Sequence, residues 1–479
     1  MKSLLPWLPL LWSLPLAAAF EPPLPPVERA PVLTLESVLE AAVRSFPVLL
    51  AAESRREAAA GERLAAEGGF DTTMKMRTNW SIAGLYENRN YDVSIEQPTG
   101  LWGTTFFGGW RRGSGDYPIY EGKSVTADSG EFRAGFTVPL WRNGPIDRRR
   151  AGLAQAELGQ LIADHDYDAA LLDVQRLASL RYWDWVAAGR RLAIARSLLA
   201  VAEQRDLGLR ARIEHGDAAA IEATDNRRAI LERRERLVTA ERLLEQSSIL
   251  LSLYWRDVEG KPRLPEMGQL PDGFPEPDPR PPLDTENAIE QALHTRPELR
   301  KLEQQRKQAE IEREWARNQQ APGVDLSVMG ARDLGYAGSK LANREEFYAG
   351  LSIDLPLQRR VAQGRTQTAS AQVQRIDTEY RLAADRIAAE VKDALSALRA
   401  AERRVGLARQ QREAARQLEE GERARFDLGD SNLLFVNLRE LAAGDAALSE
   451  AEALNAFFKA KADYRAAVGT MDGIQGQGE

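Results

Sequence analysis

Leu33-Thr34-Leu35-Glu36-Ser37-Val38-Leu39-Glu40-Ala41-Ala42, followed by Phe46-Pro47, is answered much later by Leu283-Asp284-Thr285-Glu286-Asn287-Ala288-Ile289-Glu290-Gln291-Ala292, followed by Arg296-Pro297. The pairing recurs downstream, where Ala211-Arg212-Ile213-Glu214-His215-Gly216-Asp217 corresponds to Ala424-Arg425-Phe426-Asp427-Leu428-Gly429-Asp430. Between these anchors each copy runs in the same order: short helix, β hairpin, very long helix, Gly-Asp turn, shorter helix. Two pieces that each supply half of a pseudo-symmetric object suggest a wall or a tube more than a pocket.

The bulk composition narrows the class. A length of 479 residues would permit two or three ordinary domains, but the duplication argues for two intimately paired halves. A net charge of −7, spread along the chain, does not mark a nucleic-acid binder. With no cysteine, the chain forms neither a disulfide nor a thiolate metal site, and carries no lipid on an N-terminal Cys. The N-terminus reads as an export signal: Lys2, an apolar run from Leu4 to Leu16 broken by Pro6, Pro9 and Pro15, and Ala17-Ala18-Ala19 before Phe20. That run is shorter than the ~20 apolar residues a membrane helix needs. Any membrane the mature chain crosses must therefore be crossed by strands.

The expected layout is a signal peptide over 1–19, a first repeat over 20–256, a Pro-rich linker over 257–282, a second repeat over 283–468 and a tail over 469–479. In the first repeat a helix starts near Leu35, breaks at Pro47 for want of an amide, and resumes to about Glu67. Gly68-Gly69 ends it, and a β segment covers about 70–141. There Thr72, Met74, Met76, Thr78, Trp80 and Ile82 alternate with polar neighbours, as do Phe132, Ala134, Phe136, Val138 and Leu140. In the second β segment, about 323–357, the series are Val324, Leu326, Val328 and Phe347, Ala349, Leu351, Ile353, Leu355. Such strands have one apolar and one polar face. The long helices are occupied with one another, so lipid is a credible partner for the apolar face.

The first β segment holds extra material. Residues 91–95 and 104–110 can form a further hairpin, which either adds strands to a barrel or folds above it. The helices are long: 146–256 and 361–468 hold prolineless stretches on the order of 100 Å before their turns. The second carries a seam of Val373, Tyr380, Ala384, Ile387, Val391, Ala394, Leu398, Ala401, Val405 and Ala408, which keeps one stripe against a neighbour.

No active site stands out. His165, His215 and His294 lie in different elements without ligand spacing, and no phosphate loop or nucleophile elbow is present. The expectation is no enzyme activity, no cofactor and no metal. Helix carboxylates are read as solvated faces and partners of Arg one turn away. Trp102, Trp110 and Trp141, in or beside β segments, suit a membrane interface or a core equally; Trp183 and Trp185 read as helix-packing residues. Each Gly-Asp turn follows a long helix, with Arg four residues before its Gly. Gly216 and Gly429 can take the left-handed conformation that ends a helix, while Asp217 or Asp430 can cap the next. Each turn is either a plain helix joint or a docking tip.

In this order, twice over, the motifs resemble the TolC-like outer-membrane efflux protein family, from about Leu33 to Met471. The paired openings, the strand-to-helix pairs Pro139-Leu140 and Pro356-Leu357, and the two Arg-x-x-x-Gly tips carry the resemblance. It implies a mostly α fold with transmembrane β, in which duplicated long-helix and β-hairpin repeats form a trimeric β-barrel above a periplasmic α-helical tunnel. Each subunit would give four strands to one twelve-stranded barrel. The tips, with Arg212, Gly216, Asp217, Arg425, Gly429 and Asp430, would meet a periplasmic adaptor, or membrane fusion protein, coupled to an inner-membrane transporter. Polar links that hold the tunnel shut in the family map here to Phe426, Ser431 and Glu222, so only the acidic member survives. Acidic constriction positions fall on Phe435 and Leu438. An apolar constriction is expected in place of a charged one.

The implied role is the outer-membrane exit channel of a tripartite efflux system, a passive duct for small molecules in the cell outer membrane. One alternative keeps the fold and exports a protein by type I secretion. Another, of a different class, is a soluble periplasmic coiled-coil adaptor, which would need no lipid-facing strands.

Overall fold

The computed structural model describes residues 31–118, 124–216, 219–277, 284–336 and 343–470. The expected signal peptide, Asp217, Leu283 and most of the C-terminal tail lie outside the described residues. The first half contains α1 (Leu35–Ser45), α2 (Pro47–Glu67), β1 (Thr73–Ser81), β2 (Asn88–Pro98), β3 (Thr105–Gly115), β4 (Glu131–Pro139), α3 (Arg148–Glu214) and α4 (Ala220–Ser252). The second contains α5 (Thr285–Thr295), α6 (Pro297–Asn318), β5 (Gly323–Asp333), β6 (Glu345–Asp354), α7 (Arg360–Asp427) and α8 (Leu433–Val468).

The two proline breaks share one local cause. A proline forces its predecessor out of the helical region, and Phe46 (ψ 126°) and Arg296 (ψ 123°) are both extended. Each proline then opens the next helix, where its missing amide is harmless. Thr34 caps α1 and Asp284 caps α5, each accepting from the backbone amide three residues on.

The strands form one antiparallel meander in the order β1-β2-β3-β4-β5-β6. Residues 91–95 and 104–110 lie in β2 and β3, inside this sheet. Among the described residues the sheet therefore has six strands, not the four the family resemblance implies. The sheet crosses from the first copy to the second at β4–β5, where Phe136 faces Val328 and the Thr137 and Ser327 hydroxyls meet at 3.0 Å. The register sorts the side chains. Phe132, Phe136, Phe347, Leu351 and Ile353 share one face; Arg133, Thr137, Ser352 and Asp354 share the other.

The helices form a layer, not a closed bundle. Near the sheet the extensive contacts run α2 to α3, α3 to α6 and α6 to α7; away from it they run α4 to α3, α3 to α8 and α8 to α7. At each level four helices lie side by side, with α3 (67 residues) and α7 (68 residues) running the full length. Along α7 the buried positions include Val373, Ile387, Val391, Leu398, Ala401, Val405 and Ala408, seven members of the expected seam. The largest apolar cluster lies where the two levels meet. There Trp183 stacks on Phe458 at 4.3 Å and on Phe274 of the interrepeat segment at 5.9 Å, and the Trp185 ring N–H donates to Ser248 at 3.1 Å. Both tryptophans are thus packing residues. Among the described residues no helix is long and apolar enough to cross a membrane.

Candidate functional site at the helical tips

Each long helix ends on a glycine in the left-handed region, Gly216 at φ 82° and Gly429 at φ 85°. This is the conformation that lets orphan carbonyls of the last turn find donors. The Gly216 amide donates to Ile213 at 3.0 Å, and the Asp430 amide to Arg425 at 2.9 Å. Arg425 strengthens its own turn by donating to the Asp430 carbonyl at 3.1 Å. Asp430 does not cap the following helix. The chain continues to Asn432, whose side chain accepts from the Phe435 amide at 3.2 Å. Asp430 stays exposed at the turn.

The two tips touch. The Arg212 guanidinium, from the first, lies over the Phe426 ring of the second at 5.6 Å. Such a contact at a partly exposed site contributes ~0.5–1 kcal/mol. Ser431, where the family resemblance places an Arg, donates its hydroxyl to the Glu422 carboxylate. Glu222 lies in the first turn of α4. Phe435 and Leu438 stand on the exposed side of α8, 48% and 55% open, beside exposed Leu434. Leu428 and Ile221, in or next to the turns, are exposed as well. The described tip residues Arg212, Gly216, Arg425, Gly429 and Asp430 thus lie at the ends of the long helices. Phe435 and Leu438, with Leu434, present an exposed apolar surface, whereas Glu222 and Phe426 are half-buried.

Behind the tips lies a set of charges that sequence reasoning missed. Glu440 of α8 is 1% exposed and accepts from three guanidinium groups, one on each of the other long helices. Arg233 of α4 donates at 2.7 Å, Arg423 of α7 at 3.1 Å, and Arg205 of α3 makes a third short contact. Arg233 also donates to the Leu198 carbonyl at 2.6 Å, while Arg205 reaches Asn437. Burial pushes the Glu440 carboxyl up, but the Arg205 charge and the hydrogen bonds from Arg233 and Arg205 outweigh it and hold the group below the usual carboxylate range. The nearby Glu419 carboxyl is shifted upward, chiefly by burial.

Reading every helix carboxylate as a solvated face fails at this position. The available signal was helical spacing: Glu440 falls on the stripe of Leu433, Val436, Asn437 and Gly444, all buried. Arg233 falls on the stripe of Asn226, Ala229, Ala240 and Leu244. Two further buried acids, Glu131 and Asp333, face each other across β4–β5 at one end of the sheet, with Arg111 on Glu131 and the Ala127 amide on Asp333.

Residues 288–470 match the family model described as outer membrane efflux protein. Among curated proteins none matches the chain in sequence. The fold is similar to the open state of the MtrE outer membrane channel of Neisseria gonorrhoeae, with TM-score 0.65 and 17% identity over 91% of this chain and 89% of that one. It is similar also to VceC of Vibrio cholerae (TM-score 0.61, 15% identity, 91% and 96% covered). CmeC of Campylobacter jejuni gives TM-score 0.61 and 14% identity, with 91% and 85% covered. At these identities the likeness is one of fold, and the fold is that of outer-membrane efflux channels.

Proposed function

We propose that this chain is the outer-membrane exit channel of a tripartite efflux system. Three copies close their sheets into one barrel in the outer membrane, and their helical layers into a periplasmic tunnel that carries small molecules passively. The observation that carries this reading is the layer itself. Four helices lie side by side at each level, with a strand sheet at one end and paired turns at the other. A layer of that kind is a piece of wall, and the family match over residues 288–470 is to efflux proteins, a channel class and not an enzyme class.

On this reading the tip residues Arg212, Gly216, Asp217, Arg425, Gly429 and Asp430 form the docking surface for a periplasmic adaptor that links to an inner-membrane transporter. Phe426, Phe435 and Leu438, with Glu222 beside them, narrow the tunnel at the same end. The test uses the cysteine-free background. A cysteine at Asp430 should crosslink to a periplasmic adaptor, and loss of the protein should raise retention of a small hydrophobic dye. Crosslinking only from cysteines midway along α3 or α7 would place docking on the sides. Unchanged dye retention with loss of an exported polypeptide would assign protein cargo.

A further inference from the structure

Among the described residues the β2–β3 hairpin has no counterpart in the second half, yet it is built into the sheet on both faces. On one face Met76, Val93, Trp110 and Phe132 fall in a single cross-strand row. On the other, Arg77, Asp92, Arg111, Glu131 and Asp333 do the same across five strands. Arg133 of β4 reaches past Gly109 of β3 to pair with Asp92 of β2. The hairpin's turn is seated at the foot of the sheet. The Trp102 indole lies so close to Gly144 that a Cβ there would come within 2.6 Å of its ring nitrogen. A hairpin folded above the sheet would share neither these rows nor this foothold.

Inserting two strands preserves alternation, so β1 and β4 still run in opposite directions, as do the terminal strands β1 and β6. Copies can therefore join β6 to β1 antiparallel. We propose that the hairpin is part of the membrane wall, so that three copies of six strands close an eighteen-stranded barrel in place of the twelve strands the family resemblance implies. This inference rests on the trimeric channel proposed above and sets the width of its upper end.

Widths support it. At a strand spacing of about 4.8 Å and a tilt of about 40°, six strands cover on the order of 38 Å of circumference and four cover about 25 Å. Four helices packed side by side at about 9 Å cover about 36 Å. The six-stranded sheet thus matches the arc of the helical layer attached to it, and the barrel continues the tunnel without narrowing. Barrels of that strand number leave an open aqueous lumen. The charged row on the polar face lines it.

Single cysteines test the placement in outer-membrane preparations. Ser94→Cys, on the polar face of the hairpin, should react with a water-soluble maleimide. Ile95→Cys, on the apolar face, should react only with a lipid-soluble reagent. Deleting residues 88–115 restores direct β1–β4 pairing. With Ser327→Cys as the reporter, the intact protein should admit maleimide-polyethylene glycols about 1.5-fold wider than the deletion variant does. If that variant does not assemble, the Ser94 and Ile95 labelling pattern decides. The proposal is overturned if Ile95→Cys reacts freely with the water-soluble reagent in a membrane trimer, because the hairpin then lies outside the wall. It is also overturned if the assembly contains two copies, which would close twelve strands. Recovery as a soluble monomer would instead overturn the channel reading beneath it.

Discussion

Arg233 and Glu440 meet at 2.7 Å with both side chains 1% exposed, joining α4 to α8 in the layer behind the tips. The pair does not stand alone, since Arg205 and Arg423 bring α3 and α7 to the same carboxylate. One acid therefore ties all four helices that end at the tips. Removing a buried partner leaves an uncompensated charge, so Glu440→Leu should destabilise the helical layer by about 3–5 kcal/mol in chemical denaturation. Arg233→Met should cost less, because Glu440 keeps two other partners. Equal losses from both would contradict the shared-acid arrangement.

The same acid gives a pH dependence. The Glu440 carboxyl is held below its ordinary value of 4.5 in the folded chain. Its contribution is therefore present above that value and is lost as pH falls through the lower folded one. Glu419, shifted upward by burial, works in the opposite sense and favours the fold as it protonates. Helical stability followed by circular dichroism should fall on acidification below about pH 4, and Glu440→Gln should flatten that fall. An unchanged acid profile in Glu440→Gln would place the acid sensitivity elsewhere.

On the sheet, Leu351 pairs with Leu326 on the apolar face, while Ser352 pairs with Asp325 on the polar one. Leu351→Arg should destabilise assembly by about 2–4 kcal/mol if it lies near the bilayer midplane, and Ser352→Arg should be tolerated. The reverse ranking, read by urea unfolding in vesicles, would invert the faces.

At the tips, a Cβ on Gly216 or Gly429 would meet open space, so only the left-handed backbone opposes a side chain there. Gly429→Val should cost about 1–2 kcal/mol, confined to the turn. Assembly should survive while adaptor crosslinking and dye export fall. Loss of the assembly itself would show that the tip is needed to build the layer.

The apolar tip surface predicts a dry constriction. Placing Asp at Phe435 or Leu438, both on the exposed side of α8, should wet it and raise single-channel conductance in planar bilayers several-fold. Unchanged conductance in both variants would move the constriction to another level.

Much of this architecture is legible in the sequence because its causes are local. Pro47 and Pro297 break helices through their own rings, alternation in 347–355 sets β6 with its faces, and Gly216 and Gly429 end helices through their own backbone. The hairpin is less legible. In β3 Gly108, Gly109 and Gly113 interrupt the alternation, and the strand is recognisable only through its pairing with β2 and, over Thr105–Arg111, with β4. The Glu440 cluster is the hardest to see, since its partners lie on three other helices and each residue alone looks like one more charge on a polar helix. The cap at Asn432 escapes for a smaller reason: the turn runs two residues beyond Asp430 before α8 can start.

The most direct test of the channel reading is the native mass of the protein extracted from separated membranes. The account predicts recovery in the outer-membrane fraction as an assembly of three copies, each near 53.2 kDa before removal of any leader. A soluble monomer recovered from the periplasm would contradict it.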